Sequence, residues 1–210
     1  MANLITLLRL FLLFQLVGMA YWAPPSWQLI NAPLVLFIIA LDAVDGYVAR
    51  LRGETSVFGS MFDIAVDRAV ENVLWIVLGN IGLIPIWVAI VFVVRGALVD
   101  TVRYAMASSG STPFGTMRSS VGKALVSGRF ARGLYGTIKA ITFAWVLLLQ
   151  PVEVLAPSWW AAWQPLCAAV THSLIAISVA LCLARGLPVV IEFLNDQRVF
   201  RPRSASAGSS

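Results

Sequence analysis

The stretch LVLFIIALDAVDGYVARLRGETSVFGSMFDIAVDRAVENVLWIVLG, residues 34–79, joins two apolar runs through a short polar segment. Apolar runs of this length are typical of helices that cross a membrane. Both runs nevertheless contain acids, namely Asp42, Asp45, Asp63, Asp67 and Glu71. Each charge inside a span costs about 2.5–3.5 kcal/mol on insertion scales, so these acids must be paired, solvated or bound to a metal. The stretch therefore predicts membrane helices built around a charged centre.

The composition extends this interpretation to the whole chain. Of the 210 residues, 60% are hydrophobic and 12% are charged, and the mean hydropathy is +0.86. These values exclude a soluble domain and a disordered chain. Turn signals separate six apolar segments, at residues 4–22, 29–49, 61–80, 83–106, 135–156 and 165–193. The sequence predicts an all-α integral membrane protein with six transmembrane helices in one domain, residues 1–200, and a disordered tail, residues 201–210.

The distribution of Lys and Arg predicts the orientation in the membrane. The segments near residues 21–28, 79–86 and 150–164 contain neither, whereas the connections on the other side are rich in Arg. By the positive-inside rule, both termini are expected in the cytoplasm, in a multi-pass protein of the inner (cytoplasmic) membrane. Topology thus explains the net charge of +5, and no nucleic-acid partner is predicted. The basic stretch 107–132 has two open interpretations, a loop that contacts anionic lipid and a docking surface for a phosphorylated substrate.

The spacing of the four aspartates predicts a shared site. Asp42 and Asp45 are three residues apart, and Asp63 and Asp67 are four apart, so each pair projects from one face of its helix. The short connection makes the two helices antiparallel neighbours, and both pairs lie near their cytoplasmic ends. All-oxygen ligands with no His or Cys nearby in the sequence suit hard ions such as Mg²⁺, Mn²⁺ or Ca²⁺ rather than zinc. Such ions at a cytoplasmic opening indicate phosphoryl chemistry.

The aspartates and the small residues around them form a spaced motif that resembles the signature of the CDP-alcohol phosphotransferase family. All eight fixed positions of that signature match, in the pattern Asp42-x2-Asp45-Gly46-x2-Ala49-Arg50-x8-Gly59-x3-Asp63-x3-Asp67. The N-terminal segment is also similar to the Asn-x2-Thr-x2-Arg pattern with which members of the family often begin, here Asn3, Thr6 and Arg9. The six predicted spans extend the resemblance over most of the chain.

The resemblance implies an integral membrane enzyme, usually a homodimer, that cleaves a CDP-linked substrate and releases CMP. It implies a dinuclear site made by the four aspartates, with two Mg²⁺ ions and Mn²⁺ as an alternative, and it assigns Asp67 as the base for the acceptor hydroxyl. It also implies contacts to the nucleotide and its diphosphate from seven residues: Asn3, Thr6, Gly46, Ala49, Arg50, Ser56 and Gly59.

The short chain is most similar to bacterial members that use CDP-diacylglycerol as the donor. Arg95 and Arg103 resemble an Arg-x7-Arg stretch of phosphatidylglycerophosphate synthases, which implies glycerol 3-phosphate as the small hydroxyl acceptor. An anionic acceptor needs cations, and five are predicted to contact it: Arg95, Arg103, Arg118, Lys123 and Lys139. Another interpretation of Arg95 is an ion pair with an intramembrane acid such as Asp63 or Glu71.

Other functions stay open at this point. An inositol phosphate or an amino alcohol could replace glycerol 3-phosphate as the acceptor. A cation or proton transporter would also use intramembrane carboxylates, although transporters usually place them near the midplane and often contain internal repeats. An inactive family member that acts as a scaffold is the third alternative.

Overall fold

The computed structural model describes residues 2–52, 57–108 and 128–195, and every regular element within these ranges is an α-helix. The all-α prediction is thereby confirmed. Two of the helices have a single turn, α2 (Pro25–Gln28) and α7 (Val152–Leu155). The six long ones are α1 (Ala2–Trp22), α3 (Asn31–Arg52), α4 (Val57–Asn80), α5 (Ile86–Ser108), α6 (Arg129–Leu149) and α8 (Pro157–Asn195).

The largest departure from the predicted boundaries is in α8. The sequence predicts a break at residues 156–165, but the helix starts at Pro157 and continues for 39 residues through Pro165 and Pro188. Proline is well tolerated at the start of a helix, where its missing N–H would have no partner within the helix. Within membrane helices an internal proline is also tolerated, since neighbouring groups satisfy the carbonyl it leaves free. Cys167 and Cys182, both on α8, are buried free thiols.

Among the described residues, four segments are long and apolar enough to cross a membrane: Leu4–Trp22, Pro25–Val44, Phe130–Leu155 and Pro157–Ile191. Helices α4 and α5 have 24 and 23 residues, enough to span a hydrocarbon core of about 30 Å. They are not among the four apolar segments because charged residues interrupt them, between positions 63 and 71 in α4 and between 95 and 103 in α5. The count of six spans and the cytoplasmic termini stay predictions.

The six long helices form a closed ring. Going round it, α1 packs on α3, α3 on α6, α6 on α8, α8 on α5, α5 on α4, and α4 on α1. The core of the ring contains Trp75 of α4, which is fully buried. Its ring stacks on Phe92 of α5 at 4.1 Å and lies 4.6 Å from that of Phe143 of α6. These aromatic contacts fix α4 against two neighbours, and α4 is the helix that supplies most of the acids.

The outer surface of the ring is apolar. Large side chains such as Phe11, Phe14, Leu98 and Ile191 are more than half or about half exposed. A continuous apolar exterior is typical of a surface that faces lipid. The predicted tail, residues 201–210, lies outside the described residues, and the assignment of residues 1–200 to one domain stays a prediction.

Candidate active site

Three of the four predicted metal-binding aspartates come together in the structure. Asp42 comes from α3, and Asp63 and Asp67 come from successive turns of α4. One carboxylate oxygen of each lies within 4.8 Å of the corresponding oxygens of the other two. We call these three residues the carboxylate cluster. It assembles because the spacing of four in α4 places two acids on one face, and because α1, which packs on both α3 and α4, joins the two helices at this point. In the described part of the chain, the predicted direct packing of α3 on α4 is not among the helix contacts of the ring.

Arg9 of α1 binds all three acids of the carboxylate cluster. Its Nη1 lies 2.7 Å from Oδ1 of Asp42 and 3.2 Å from Oδ1 of Asp63. Its Nη2 donates to Oδ1 of Asp67 at 2.6 Å. The planar guanidinium suits this arrangement, because it presents several donors at fixed angles to carboxylates. One buried cation thus links two helices that carry like charges.

The exposure of these groups is uneven. The side chains of Asp42, Asp63 and Asp67 are 41%, 38% and 47% exposed, whereas that of Arg9 is 3% exposed. The acids are therefore accessible to a ligand, while their arginine partner is enclosed by the bundle. Three accessible carboxylates so close together match the oxygen donor set that Mg²⁺ and Mn²⁺ prefer. The described residues of the cluster thus fit a divalent cation.

Several other predicted site residues cannot be placed. The side chains of Asn3, Asp45, Ala49 and Arg50 and the surroundings of Gly46 fall outside what the structure describes, and Ser56 lies in the undescribed segment 53–56. Thr6 and Gly59 are described, and Thr6 is 2% exposed, one turn before Arg9 on α1. Metal binding by Asp45 and nucleotide contacts at the other seven positions stay predictions.

A second charged group surrounds the ring of Tyr135 on α6. Nζ of Lys139 lies 4.3 Å from the ring centroid, and the guanidinium carbons of Arg185 and Arg95 lie 5.2 and 5.9 Å from it. We call Arg95, Lys139 and Arg185 the cation cluster. The negative face of an aromatic ring attracts cations within about 6 Å, so Tyr135 gathers three side chains that would otherwise repel one another.

Within the described part of the chain, one carboxylate contacts the cation cluster. Oε1 of Glu71 lies 2.7 Å from Nζ of Lys139, and the Tyr135 hydroxyl donates to the same oxygen at 3.5 Å. Arg68 contacts Glu71 at 3.5 Å but binds Asp100 more closely, through Nε at 2.7 Å and Nη2 at 2.8 Å. Three cations around one acid leave positive charge in excess. Such an environment suits a phosphate group.

Arg95 packs against α8 at Gly186, a residue that has no side chain. A Cβ on Gly186 would lie 2.5 Å from Nε and 2.7 Å from Cγ of Arg95, so only glycine leaves room for the arginine there. The Nε of Arg95 is buried and has no hydrogen-bond partner among the described residues. No ion pair between Arg95 and Asp63 or Glu71 is present among the described residues. Arg9 binds Asp63, Lys139 binds Glu71, and Arg95 lies beside Tyr135.

The two clusters lie close together along α4. Asp63, Asp67 and Glu71 follow one another at intervals of four residues, so they form one stripe on that helix. Asp67 belongs to the carboxylate cluster, and Glu71, one turn or about 6 Å further along the axis, binds the cation cluster. A molecule with a phosphate at one end and a reactive hydroxyl at the other is the kind of ligand that such a pair of sites accommodates.

Sequence reasoning missed three residues of this centre: Arg9 as a partner of the acids, Arg185 and Tyr135. The available signal for the two arginines was a charge inside an apolar segment, which is costly unless it has a purpose. Nothing in the sequence distinguished Tyr135. Among the five predicted acceptor contacts, Arg95 and Lys139 belong to the cation cluster. The side chain of Arg103 is not described, and Arg118 and Lys123 lie in the undescribed segment 109–127.

The fold and the two clusters define a class: an all-α membrane protein with an accessible acidic site beside a basic one. The family model for CDP-alcohol phosphatidyltransferase matches residues 1–184, and the chain belongs to this family. The resemblance found in the motif is thereby confirmed.

Two curated relatives have the same name, CDP-diacylglycerol–glycerol-3-phosphate 3-phosphatidyltransferase. The one from Pseudomonas fluorescens is 34% identical over 116 residues, 52% of this chain and 57% of the relative. The one from Bacillus subtilis is 33% identical over 92 residues, 43% of this chain and 48% of the relative. A putative cardiolipin synthase of Mycobacterium tuberculosis is 31% identical over 98 residues, 46% of each chain. The matches thus span about half the length of these relatives.

Proposed function

We propose that the protein transfers a phosphatidyl group from CDP-diacylglycerol to glycerol 3-phosphate and releases CMP, at the cytoplasmic face of the inner membrane. The observation that carries this proposal is the closeness of two clusters of opposite excess charge. Both contact α4, one through Asp67 and the other through Glu71, which lie one helical turn apart. Six membrane-crossing helices with both termini in the cytoplasm, and assembly as a homodimer, are further parts of the proposal.

Asp42, Asp63 and Asp67 would hold the divalent cation, with Asp45 as the fourth ligand that the family signature supplies. When bound there, two Mg²⁺ ions, or Mn²⁺ in their place, would offset negative charge on the diphosphate of the donor and on the departing CMP. The nucleotide is expected near the predicted contacts on α1 and α3, in the segment before α4 and in the first turn of α4. The exposure of the three described acids supports access from outside the bundle.

The cation cluster would bind the phosphate of the acceptor. Arg95, Lys139 and Arg185 supply charged donors in a partly enclosed setting, where hydrogen bonds to an anion are strong. With its phosphate held there, the acceptor extends along α4 and brings a hydroxyl next to Asp67. Asp67 takes the proton of that hydroxyl, whose oxygen attacks the lipid-side phosphorus, and the bond from this phosphorus to CMP breaks. Positioning of the two reactants accounts for much of the rate.

The charge of the cation cluster discriminates between acceptors. A site with three cations and one acid repels the ammonium of an amino alcohol and attracts a phosphate monoester. This argument favours glycerol 3-phosphate or an inositol phosphate over an amino alcohol. The names of the Pseudomonas and Bacillus relatives favour glycerol 3-phosphate between the two.

The direct experiment is CMP release by the purified protein in detergent with CDP-diacylglycerol and Mg²⁺. Glycerol 3-phosphate, inositol 1-phosphate, myo-inositol and serine are supplied one at a time, and Asp67→Asn protein is the blank. We expect release with glycerol 3-phosphate that depends on the metal and is absent from the blank. Release with inositol 1-phosphate alone would replace the acceptor but keep the reaction. No CMP with any acceptor, together with cation or proton flux in vesicles, would favour the transporter.

A further inference from the structure

Arg9 occupies a central position between the acidic helices. Helix α1 packs on both α3 and α4, and Arg9 reaches from it to Asp42 on the first and to Asp63 and Asp67 on the second. Its side chain is 3% exposed, so the guanidinium is fixed on the interior side of the carboxylate cluster. The resemblance to the family gives Arg9 only as part of an N-terminal pattern, without this contact.

The charges of the cluster explain why such a cation is needed. Three carboxylates within 4.8 Å of one another repel strongly, most of all where the surroundings are apolar. Arg9 binds Oδ1 of each acid, and a divalent cation held by the same three carboxylates would share their negative charge with it. The guanidinium and a metal ion at the same acids also repel each other.

We propose that Arg9 is the internal counter-cation of the carboxylate cluster: it holds the acids of α3 and α4 together and competes with the divalent cation for them. Arg9 is thus a positioning residue that sets the metal affinity of the site below that of the bare acids. This inference rests on the proposed function in one respect, that the carboxylate cluster is the divalent-cation site.

The two roles have opposite consequences when the charge is removed. Without divalent cation, an Arg9→Gln protein has three acids that repel one another, so its melting temperature falls. With divalent cation, the competing charge is gone, so binding tightens and the melting temperature recovers. A buried arginine with a purely structural role would give a different pattern, since its loss would lower stability and metal affinity together.

The experiment measures Mn²⁺ binding to the full-length protein in detergent, by the electron paramagnetic resonance of free Mn²⁺, and the melting temperature in EDTA and in Mg²⁺. Arg9→Gln is expected to bind Mn²⁺ about tenfold more tightly than the natural chain. The rise in melting temperature on adding Mg²⁺ should also be larger in this variant. Arg95→Gln is the matched control, because it removes another guanidinium from the bundle, and it should change Mn²⁺ affinity by less than about threefold.

Unchanged or weaker Mn²⁺ binding by folded Arg9→Gln protein would overturn the inference. If that variant does not fold, Arg9→Met decides: it also removes the charge and places an apolar side chain in the buried position, so Mn²⁺ should again bind more tightly than to the natural chain, and equal or weaker binding contradicts the role. Asp67→Asn separates the two proposals. If it weakens Mn²⁺ binding while the Arg9 variants have no effect, only the role of Arg9 fails. If it leaves Mn²⁺ binding intact, the metal site itself fails.

Discussion

The carboxylate cluster and the cation cluster have inverse charges. Counted over the residues that the structure describes, the first has three acids around one arginine, and the second has three cations with one glutamate. In each, the opposite charge comes from a different helix. Arg9 contacts all three acids at 2.6–3.2 Å, whereas Glu71 contacts Lys139 at 2.7 Å. Arg9 holds the acids together, whereas the ring of Tyr135 gathers the cations and Glu71 pairs with one of them, so each cluster keeps most of its charge for a ligand.

The clusters differ in exposure as well as in sign. The acids are 38% to 47% exposed, whereas Lys139 is 16% exposed and Arg185 is buried. The acidic site is therefore the open one and the basic site the enclosed one. A cation in an enclosed site attracts an anion more strongly than an exposed one does, because less water screens the charges. We therefore expect specificity for the acceptor to depend on the cation cluster, and the carboxylate cluster to act in the same way with every donor and acceptor.

Asp67→Asn is expected to have the largest effect on the acidic side. It keeps the shape of the side chain but removes a ligand charge and the base, so CMP release should fall by at least about 100-fold with any acceptor. Glu153→Gln makes the same chemical change at an exposed residue of α7 and should leave the rate unchanged. The measurement is the initial rate of CMP release. Equal losses of rate in both variants would contradict a specific role of the carboxylate cluster in the reaction.

Arg185→Gln tests the basic side. A hydrogen bond to a charged group contributes about 1.5–3 kcal/mol, so the KM for glycerol 3-phosphate should rise by roughly tenfold to 100-fold while the KM for CDP-diacylglycerol stays constant. Arg132→Gln, at an exposed arginine in the first turns of α6, is the control and should change neither constant. A change confined to the KM of the lipid donor would assign the cation cluster to the wrong substrate.

Gly186→Ala sharpens the comparison without altering any charge. The new methyl group would lie 2.5 Å from Nε of Arg95, so the arginine must move, and we expect the KM for glycerol 3-phosphate to rise severalfold, about five times. Gly133→Ala on α6 is the control, since a Cβ there meets nothing within 4 Å among the described residues. Identical kinetics of the two variants would show that the position of Arg95 does not matter.

Tyr135→Leu and Tyr135→Phe separate the ring from the hydroxyl. The ring is within about 6 Å of all three cations, and each such contact contributes about 0.5–2 kcal/mol. Leucine should therefore raise the KM for glycerol 3-phosphate by roughly threefold, and phenylalanine should have little effect. The result contrary to this account is a larger effect of phenylalanine, which would give the 3.5 Å hydrogen bond to Glu71 the main role.

The smallest effect is expected for the ion pair between Arg68 and Asp100, which ties α4 to α5. Both side chains are about a third exposed, so the pair should contribute only about 1 kcal/mol. Arg68→Gln should lower the melting temperature by about 2–4 °C. Its effect and that of Asp100→Asn should not add in the double variant. Additive losses would mean that the two residues stabilise the bundle separately.

The sequence predicted the parts of this architecture that depend on local spacing. Asp63 and Asp67 share a face because helix geometry alone puts residues four apart together, and the apolar runs located the six long helices within a few residues at most ends. The start of α8 was wrong, because the turn signal at Pro165 is overridden by apolar sequence on both sides.

The missed contacts depend on packing that no local pattern encodes. Arg9 is 54 and 58 residues from Asp63 and Asp67, and the pairing exists because α1 packs on both α3 and α4. In the sequence, Tyr135 does not differ from other aromatic residues. Its role depends on the packing of α5 and α8, which bring Arg95 and Arg185 to its ring. The sequence shows where charges lie along each helix, and the order of helices around the ring decides which charges meet.

The central claim is that the cation cluster holds the phosphate of the acceptor beside the carboxylate cluster. The most direct test compares glycerol 3-phosphate with glycerol as acceptors, by initial rates of CMP release, in the natural chain and in Arg95→Gln. The account predicts a strong preference for glycerol 3-phosphate in the natural chain that falls by at least about tenfold in the variant, through loss of rate with the phosphorylated acceptor alone. An unchanged preference, with both rates reduced equally, would contradict it.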